Sequence, residues 1–329
     1  MLKTAVIGAG HLGRIHLQIL KDADFTKLSG FYDINESVRV EVSKQFNIKA
    51  FSNIDELLNS CDIVDIVTPT PSHFDYAKLA LESSKHIFIE KPVTSTIEQS
   101  NELIKLAKQY NVKIQVGHVE RYNPAYIEAS KVISDPLFIE THRLALFNPR
   151  GTDVSVVLDL MIHDIDILLS IVKSPIKNIY ASGVNIISET ADIANARIEF
   201  ENSSVANLTA SRISLKNMRK TRVFQKDAYV SIDFLEKKYE VIKIKDTDSP
   251  DPFSPFIDLG AKGKKQIDII SEKAKDHNAI KAELCDLVKS ITDNSNPIVD
   301  IYAAQKALSI AIKISEIINK NISTKILHN

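Results

Sequence analysis

In the first 117 positions, apolar residues fall into short β-branched runs separated by longer stretches of helical period. The runs Lys3–Ile7, Leu28–Tyr32, Ile63–Thr68, His86–Glu90 and Lys113–Val116 predict strands. The intervals 11–22, 36–46, 72–84 and 95–110 predict helices, the last opened by Ser95 and Glu98 at capping-box spacing. Strands that alternate with helices pair in parallel and are covered on both faces. The expected class is α/β, with an N-terminal doubly wound parallel sheet of Rossmann type.

After Arg121 the rhythm changes. Asn123-Pro124 predicts a helix N-cap with proline at the first helical position, and 137–147 predicts a strand. An apolar helix is expected over 155–172. Strand patterns follow near 177–187, 192–200, 204–213, 221–225, 228–234 and 238–245, with no helix between them. A largely antiparallel open sheet is therefore expected. Asp246 to Lys265 holds Pro250, Pro252, Pro255, Gly260 and Gly263 and is expected to be a long surface loop. Helices near 276–292 and 301–319 end the chain.

The length of 329 residues exceeds the ~100–200 typical of one domain, so two are expected, at 1–120 and 121–329. Lys and Arg number 41 against 42 Asp and Glu, without a long run of one sign, which argues against a nucleic-acid or membrane-surface partner. The only cysteines, Cys61 and Cys285, make neither a disulfide framework nor paired-Cys metal spacing, and no metal is expected. The N-terminus lacks the features of a signal peptide, so a cytoplasmic location is expected.

Gly8-Ala9-Gly10-His11-Leu12-Gly13 fits G-x-G-x-x-G between the first strand and the first helix. Glycines there allow a tight turn and let backbone N–H groups approach a pyrophosphate at the positive helix end. Asp33 ends the second strand, where the fingerprint places a carboxylate on the adenosine ribose hydroxyls. That charge would repel the 2′-phosphate of NADP, so NAD is the expected cofactor; the alternative for Asp33 is a turn aspartate. Ligands of such sheets bind beyond the carboxyl ends of the strands. Gly8, Gly10, His11, Leu12, Gly13 and Asp33 are therefore cofactor candidates, joined by Thr68, Pro69, Thr70 and His73 after one strand and Glu90 and Lys91 after another.

Proline fixes the turn after Lys91 and is a place for a cis bond, but on spacing alone Lys91 is first a solvated turn lysine. The apolar helix adds weight. Asp159, His163, Asp166 and Ser170 are spaced four, three and four and share one narrow stripe that lacks Lys and Glu. Such a stripe suits a buried helix presenting an acid and an imidazole to a cleft; a core histidine satisfied by a neighbour remains the alternative. Asp159 would orient His163, whose imidazole could take an alcohol proton, while Lys91 would anchor the same hydroxyl or share the base role. Lys91, Asp159 and His163 are the catalytic candidates. Arg121, Arg143 and Arg150 lie in segments leading into that helix, where guanidinium forks could meet a phosphate, although each alone is first a surface arginine.

In combination, GAGHLG with Asp33, Glu90-Lys91-Pro92 and the Asp159-x-x-x-His163 helix ahead of the antiparallel sheet resemble the Gfo/Idh/MocA oxidoreductase family. The resemblance implies an NAD(P)-dependent dehydrogenase of sugar or cyclitol alcohols, with Lys91, Asp159 and His163 in the family's catalytic positions. It also implies an open sheet that mediates oligomerisation, here a homodimer or homotetramer. Met161 stands where the family's common D-x-G-x-H pattern has glycine. The segments Gly117–Pro124 and Arg150–Asp164 resemble the UDP-N-acetylglucosamine 3-dehydrogenase branch, which implies a nucleotide-sugar substrate and substrate contacts from Arg121, Tyr122, Arg150, Asp159 and His163. A free-sugar or inositol dehydrogenase, another carbonyl reductase and a non-catalytic NAD-binding regulator are the alternatives.

Overall fold

The computed structural model describes residues 1–148, 154–249, 251 and 254–326. In chain order, β1 (Lys3–Ile7), α1 (His11–Lys21), β2 (Lys27–Tyr32), α2 (Glu36–Phe46), α3 (Ile54–Asn59), β3 (Ile63–Ile66), α4 (His73–Glu82), β4 (His86–Glu90), α5 (Ile97–Gln109) and β5 (Ile114–Gly117) come first. Next are α6 (Pro124–Ser130), β6 (Pro136–Leu144), a π turn (Val157–Met161), α7 (Ile162–Ile171), β7 (Ile176–Val184), β8 (Ile193–Phe200) and β9 (Val205–Ser211). After them lie β10 (Met218–Gln225), β11 (Ala228–Asp233), β12 (Lys238–Thr247), β13 (Phe256–Asp258), β14 (Lys264–Lys273), α8 (Ala279–Thr292) and α9 (Ile301–Ile326).

The chain forms two compact units, the first made of Met1–Val119 with Asn278–Ser309 and the second of Glu120–His277 with Ile310–Asn329. The first holds a parallel sheet in the order β2-β1-β3-β4-β5, with Ile7 in register with Tyr32 on one side and Ile66 on the other. Its strands read as continuous apolar runs because both faces are covered: Val6, Leu17, Phe31 and Phe88 pack with Leu284 and Leu287 of α8 in one core. A boundary at 120 would put α8 in the second domain, whereas Asn278–Ser309 belongs to the first unit. The apolar stripe of α8 shows that the helix needs a core but not which core, and its residues pack into the first. The capping box of α5 lies one residue later than expected. Thr96 Oγ1 accepts from the Gln99 N–H at 3.3 Å, and Gln99 Oε1 accepts from the N–H groups of Ser95 and Thr96. Both registers satisfy the motif, and only Thr96 is the extended residue before the helix.

The second unit is built on a nine-stranded sheet in the order β13-β14-β12-β11-β10-β6-β9-β8-β7. All neighbours are antiparallel except β6 and β9, where Thr141 pairs with Leu208 in parallel register. Alternate side chains, among them Ile139, Ile198, Leu208, Val223 and Val230, are buried on one face. The loop expected over 246–265 instead contains β13, and β14 starts within it. β14 is charged and mostly exposed, so it lacks the apolar alternation that marks a strand, yet its backbone pairs with β12 from Lys238↔Lys273 to Thr247↔Lys264. No helix among the described residues is long and apolar enough to cross a membrane.

The first core also buries charge. Glu283 of α8 is 0% exposed, and neither of its carboxyl oxygens has a hydrogen-bond partner among the described residues. Burial first, and then the Glu90 carboxylate, hold its carboxyl well above the usual range, with a smaller push from Asp65 and an opposing pull from His16. A proton retained by the folded state and released by the unfolded state makes stability fall as pH rises from the ordinary glutamate range through the folded value. Glu283→Gln removes that dependence. At pH 7 the variant is expected to resist urea better than the parent, with the difference shrinking towards pH 4. Parallel curves across this range would mean that Glu283 is ionised in the folded protein.

Candidate active site

The loop after β1 is held by contacts that only glycine permits. Gly8 has φ +98°, and a Cβ there would lie 2.6 Å from the Val67 carbonyl oxygen. At Gly13 it would lie 2.1 Å from the Gly8 carbonyl oxygen, whereas at Gly10 it would meet nothing within 4 Å. The strand-to-helix turn is thus closed on the protein side and open at Gly10. No side chain caps α1 at Gly10, which keeps the helix N-terminus available to an anion. His11 is exposed and Leu12 half-buried. Asp33 reaches back to this loop: its Oδ2 accepts from the Ala9 N–H at 2.8 Å and its Oδ1 from the Asn35 N–H at 2.9 Å. An open backbone cradle with a carboxylate tied beside it fits the phosphates and ribose of a dinucleotide.

The ends of β3 and β4 complete this region. Thr68 follows β3, and its hydroxyl receives a 2.8 Å hydrogen bond from Ser72 across the turn formed by Pro69 and Thr70. His73 was expected to touch the cofactor. It is instead 1% exposed, with Nδ1 2.9 Å from the Pro92 carbonyl oxygen and Nε2 2.8 Å from that of Thr68. Burial pushes the imidazole below its ordinary pKa against these two carbonyls, and a neutral ring has a single N–H to donate. His73 therefore packs between the two loops and, while neutral, donates to one of the two carbonyls at a time. The Lys91-Pro92 bond is cis. Glu90 Oε2 accepts from the Lys91 N–H at 3.2 Å, and the Glu90 carboxylate lies so close to Gly117 that a Cβ there would fall 2.8 Å from Oε1.

In the second unit, Asp159 lies within the π turn and His163 in the first turn of α7, both half-buried. The wider turn interrupts the uniform helical spacing that placed four polar residues on one stripe, a local irregularity frequent at functional sites. The rest of that stripe is consumed internally. Asp166 accepts from Arg121 Nε at 2.9 Å, and the Ser170 and Tyr126 hydroxyls are 2.6 Å apart.

Arg143 also differs from expectation. Its Nε and Nη2 donate to the two oxygens of Asp164 at 3.0 and 2.9 Å, and its Nη1 donates to Glu120 at 2.9 Å. Both Asp164 and Glu120 are buried, and the guanidinium, 3% exposed, has no face left for a diphosphate. Tyr122 is buried, and its carbonyl oxygen accepts from His277 Nε2 at 2.8 Å. Arg121 keeps partial exposure. Arg150 lies outside the described residues.

Residues 2–118 match the family described as an oxidoreductase family with an NAD-binding Rossmann fold, and residues 139–230 match the GFO/IDH/MocA C-terminal domain. The UDP-N-acetylglucosamine 3-dehydrogenase of Acidithiobacillus ferrooxidans is 34% identical over 95% of this chain and 96% of its own length. The chain belongs to the Gfo/Idh/MocA oxidoreductase family. The NAD-dependent scyllo-inositol 2-dehydrogenase of Bacillus subtilis is 26% identical over 94% of this chain and 92% of its own. The solved structure of the A. ferrooxidans enzyme superposes with a TM-score of 0.87 at 32% identity, covering 96% of this chain and 97% of that one.

As a Gfo/Idh/MocA oxidoreductase, the chain carries polar residues near these loops that sequence reasoning passed over. Asp65 in the middle of the apolar run Ile63–Ile66 was a visible signal, because a charged residue inside a doubly covered strand needs a buried partner. Glu283 on the apolar stripe of α8 was a second. Glu120 and Asp164, by contrast, gave no sign of sharing Arg143. Arg143→Ala would leave two buried carboxylates without their cation, a change that typically costs about 3–5 kcal/mol. Chemical denaturation of the variant is expected to show a loss of that order, and a loss below about 1 kcal/mol would mean that water or Arg219, 3.5 Å from Glu120, compensates.

Proposed function

We propose that this protein oxidises a secondary hydroxyl of a nucleotide sugar, converting UDP-N-acetylglucosamine to its 3-keto form with NAD as hydride acceptor. The observation that carries the substrate is the 34% identity with the A. ferrooxidans enzyme across almost the whole of both chains. The preference for NAD rests on Asp33, whose carboxylate is fastened to the phosphate loop where a 2′-phosphate would add like charge. Gly8, Gly10, His11, Leu12, Gly13, Thr68, Pro69 and Thr70 supply the cofactor's seat, and bound NAD provides the hydride acceptor.

The chain's own residues handle the proton and the charge. Lys91 stabilises the alkoxide that develops as hydride departs, and His163 removes the hydroxyl proton, oriented by Asp159. Arg121 and Arg150 remain for the diphosphate, whereas Arg143 does not. A cyclitol or free sugar is the second reading, favoured by the inositol dehydrogenase relative, which matches 94% of this chain. A regulator without turnover is disfavoured because Lys91, Asp159 and His163 are all retained. The uncovered sheet face, with Tyr180 56% and Ile269 59% exposed and the Phe224 ring packed beside Phe138 and Tyr229, supports a homodimer or homotetramer.

Incubation with NAD and a panel of UDP-N-acetylglucosamine, free N-acetylglucosamine and inositols, followed by NADH absorbance, tests the substrate. Turnover is expected with the UDP sugar and to be slower with NADP, and Asp33→Ala should narrow that cofactor gap. Faster oxidation of a cyclitol, or equal use of NADP, would overturn the corresponding part. Acid–base assistance is typically worth about 10²–10⁴-fold, so folded Lys91→Ala and His163→Ala variants should lose that much single-turnover rate while binding NAD normally. Near wild-type rates in both would make these residues structural.

A further inference from the structure

Behind the Lys91 turn, the first unit buries a group of ionisable side chains that proton abstraction itself does not require. His16 lies on α1, one turn beyond Gly13, with its side chain fully buried. Its Nδ1 is 2.9 Å from Asp65 Oδ2 on β3, and its Nε2 is 3.5 Å from Glu90 Oε1 at the end of β4. Phe88 flanks the ring at 5.7 Å between centroids. Glu283 faces the same group from α8, and Gln115 of β5 donates to the Glu283 carbonyl oxygen at 2.6 Å.

We propose that His16 is a positioning residue for Lys91: its imidazolium, anchored to Asp65, fixes the charge and direction of the Glu90 carboxylate, which in turn holds the Lys91 amide. The proposal rests on the catalytic role given to Lys91. Three contacts form the chain of cause. Burial alone would lower the His16 pKa, but Asp65 and Glu90 together outweigh it and hold the imidazole well above its ordinary value. The cation faces both carboxylates, so neither is left uncompensated in a dry interior. Glu90 Oε1 lies 3.5 Å from His16 Nε2, an electrostatic approach without hydrogen-bond geometry, while Oε2 accepts from the Lys91 N–H. Gly117 completes the arrangement, because any side chain there would push the carboxylate out of place. Since α1 also presents its N-terminus at the phosphate loop, one rigid helix sets both the phosphate seat and the Lys91 turn.

Removing the cation leaves Glu90 facing the Asp65 carboxylate beside a protonated Glu283 in a dry interior, and a remaining like charge raises the pH at which a carboxylate takes up a proton. The Lys91 amide then loses an ionised acceptor. Its resonance, followed by NMR in cofactor-free protein between about pH 5 and 7, is expected to be flat in the parent and to titrate in His16→Gln. Asp65→Asn, which withdraws the anchor of the imidazolium, should do the same and serves if His16→Gln does not fold. Flat resonances in the folded variants would overturn the proposal. In turnover with NAD and UDP-N-acetylglucosamine, His16→Gln should lower kcat about ten- to a hundredfold with the KM for NAD unchanged. Added to Lys91→Ala, it should cost nothing more; a further loss in the double variant, or a rise in the KM for NAD alone, would also overturn it. If the parent does not oxidise the UDP sugar, the substrate assignment fails while the amide titration still decides the role of His16.

Discussion

A charge taken out of water must meet its opposite within hydrogen-bond reach, and much of this molecule is arranged around that demand. In the first unit His16 stands between Asp65 and Glu90, and in the second Arg143 stands between Asp164 and Glu120. Each cation joins carboxylates from elements far apart in the chain: α1 with β3 and β4, and β6 with α7 and the segment before α6. Apolar packing would tolerate small shifts among these elements. Directional ion pairs tolerate far less, which suits positions that adjoin candidate chemistry.

The glycine loop works by exclusion of atoms. At Gly13 and Gly8 the neighbouring carbonyls occupy the space a side chain would need, and the resulting turn leaves Gly10 exposed at the start of α1. Asp33 accepts from the Ala9 amide beside the loop, and His73 packs between the Thr68 and Pro92 carbonyls, donating to one of them while neutral. Cofactor recognition of this type depends on backbone, so it tolerates wide sequence change elsewhere. Relatives that match nearly all of this chain can therefore include both a UDP-sugar dehydrogenase and an inositol dehydrogenase. In the second unit the π turn sets the relation of Asp159 to His163.

The sequence by itself determined the alternation of strands and helices, the parallel first sheet, the phosphate loop, Asp33 and the family. These are local or periodic signals: β-branched runs, glycine spacing and a motif in a known order. Only the tertiary structure decided the partners. Arg143 looked as available to a diphosphate as Arg121 until Asp164 and Glu120 were found on its guanidinium. His73 looked like a cofactor contact, but its ring is sealed between two carbonyls. β14 had no alternation to reveal it because backbone pairing with β12 requires none, and α8 carried an apolar stripe that fits any core. Local pattern specifies what an element needs to bury or bond. Which residues meet that need depends on contacts across tens to hundreds of residues, and single-chain periodicity carries no record of those.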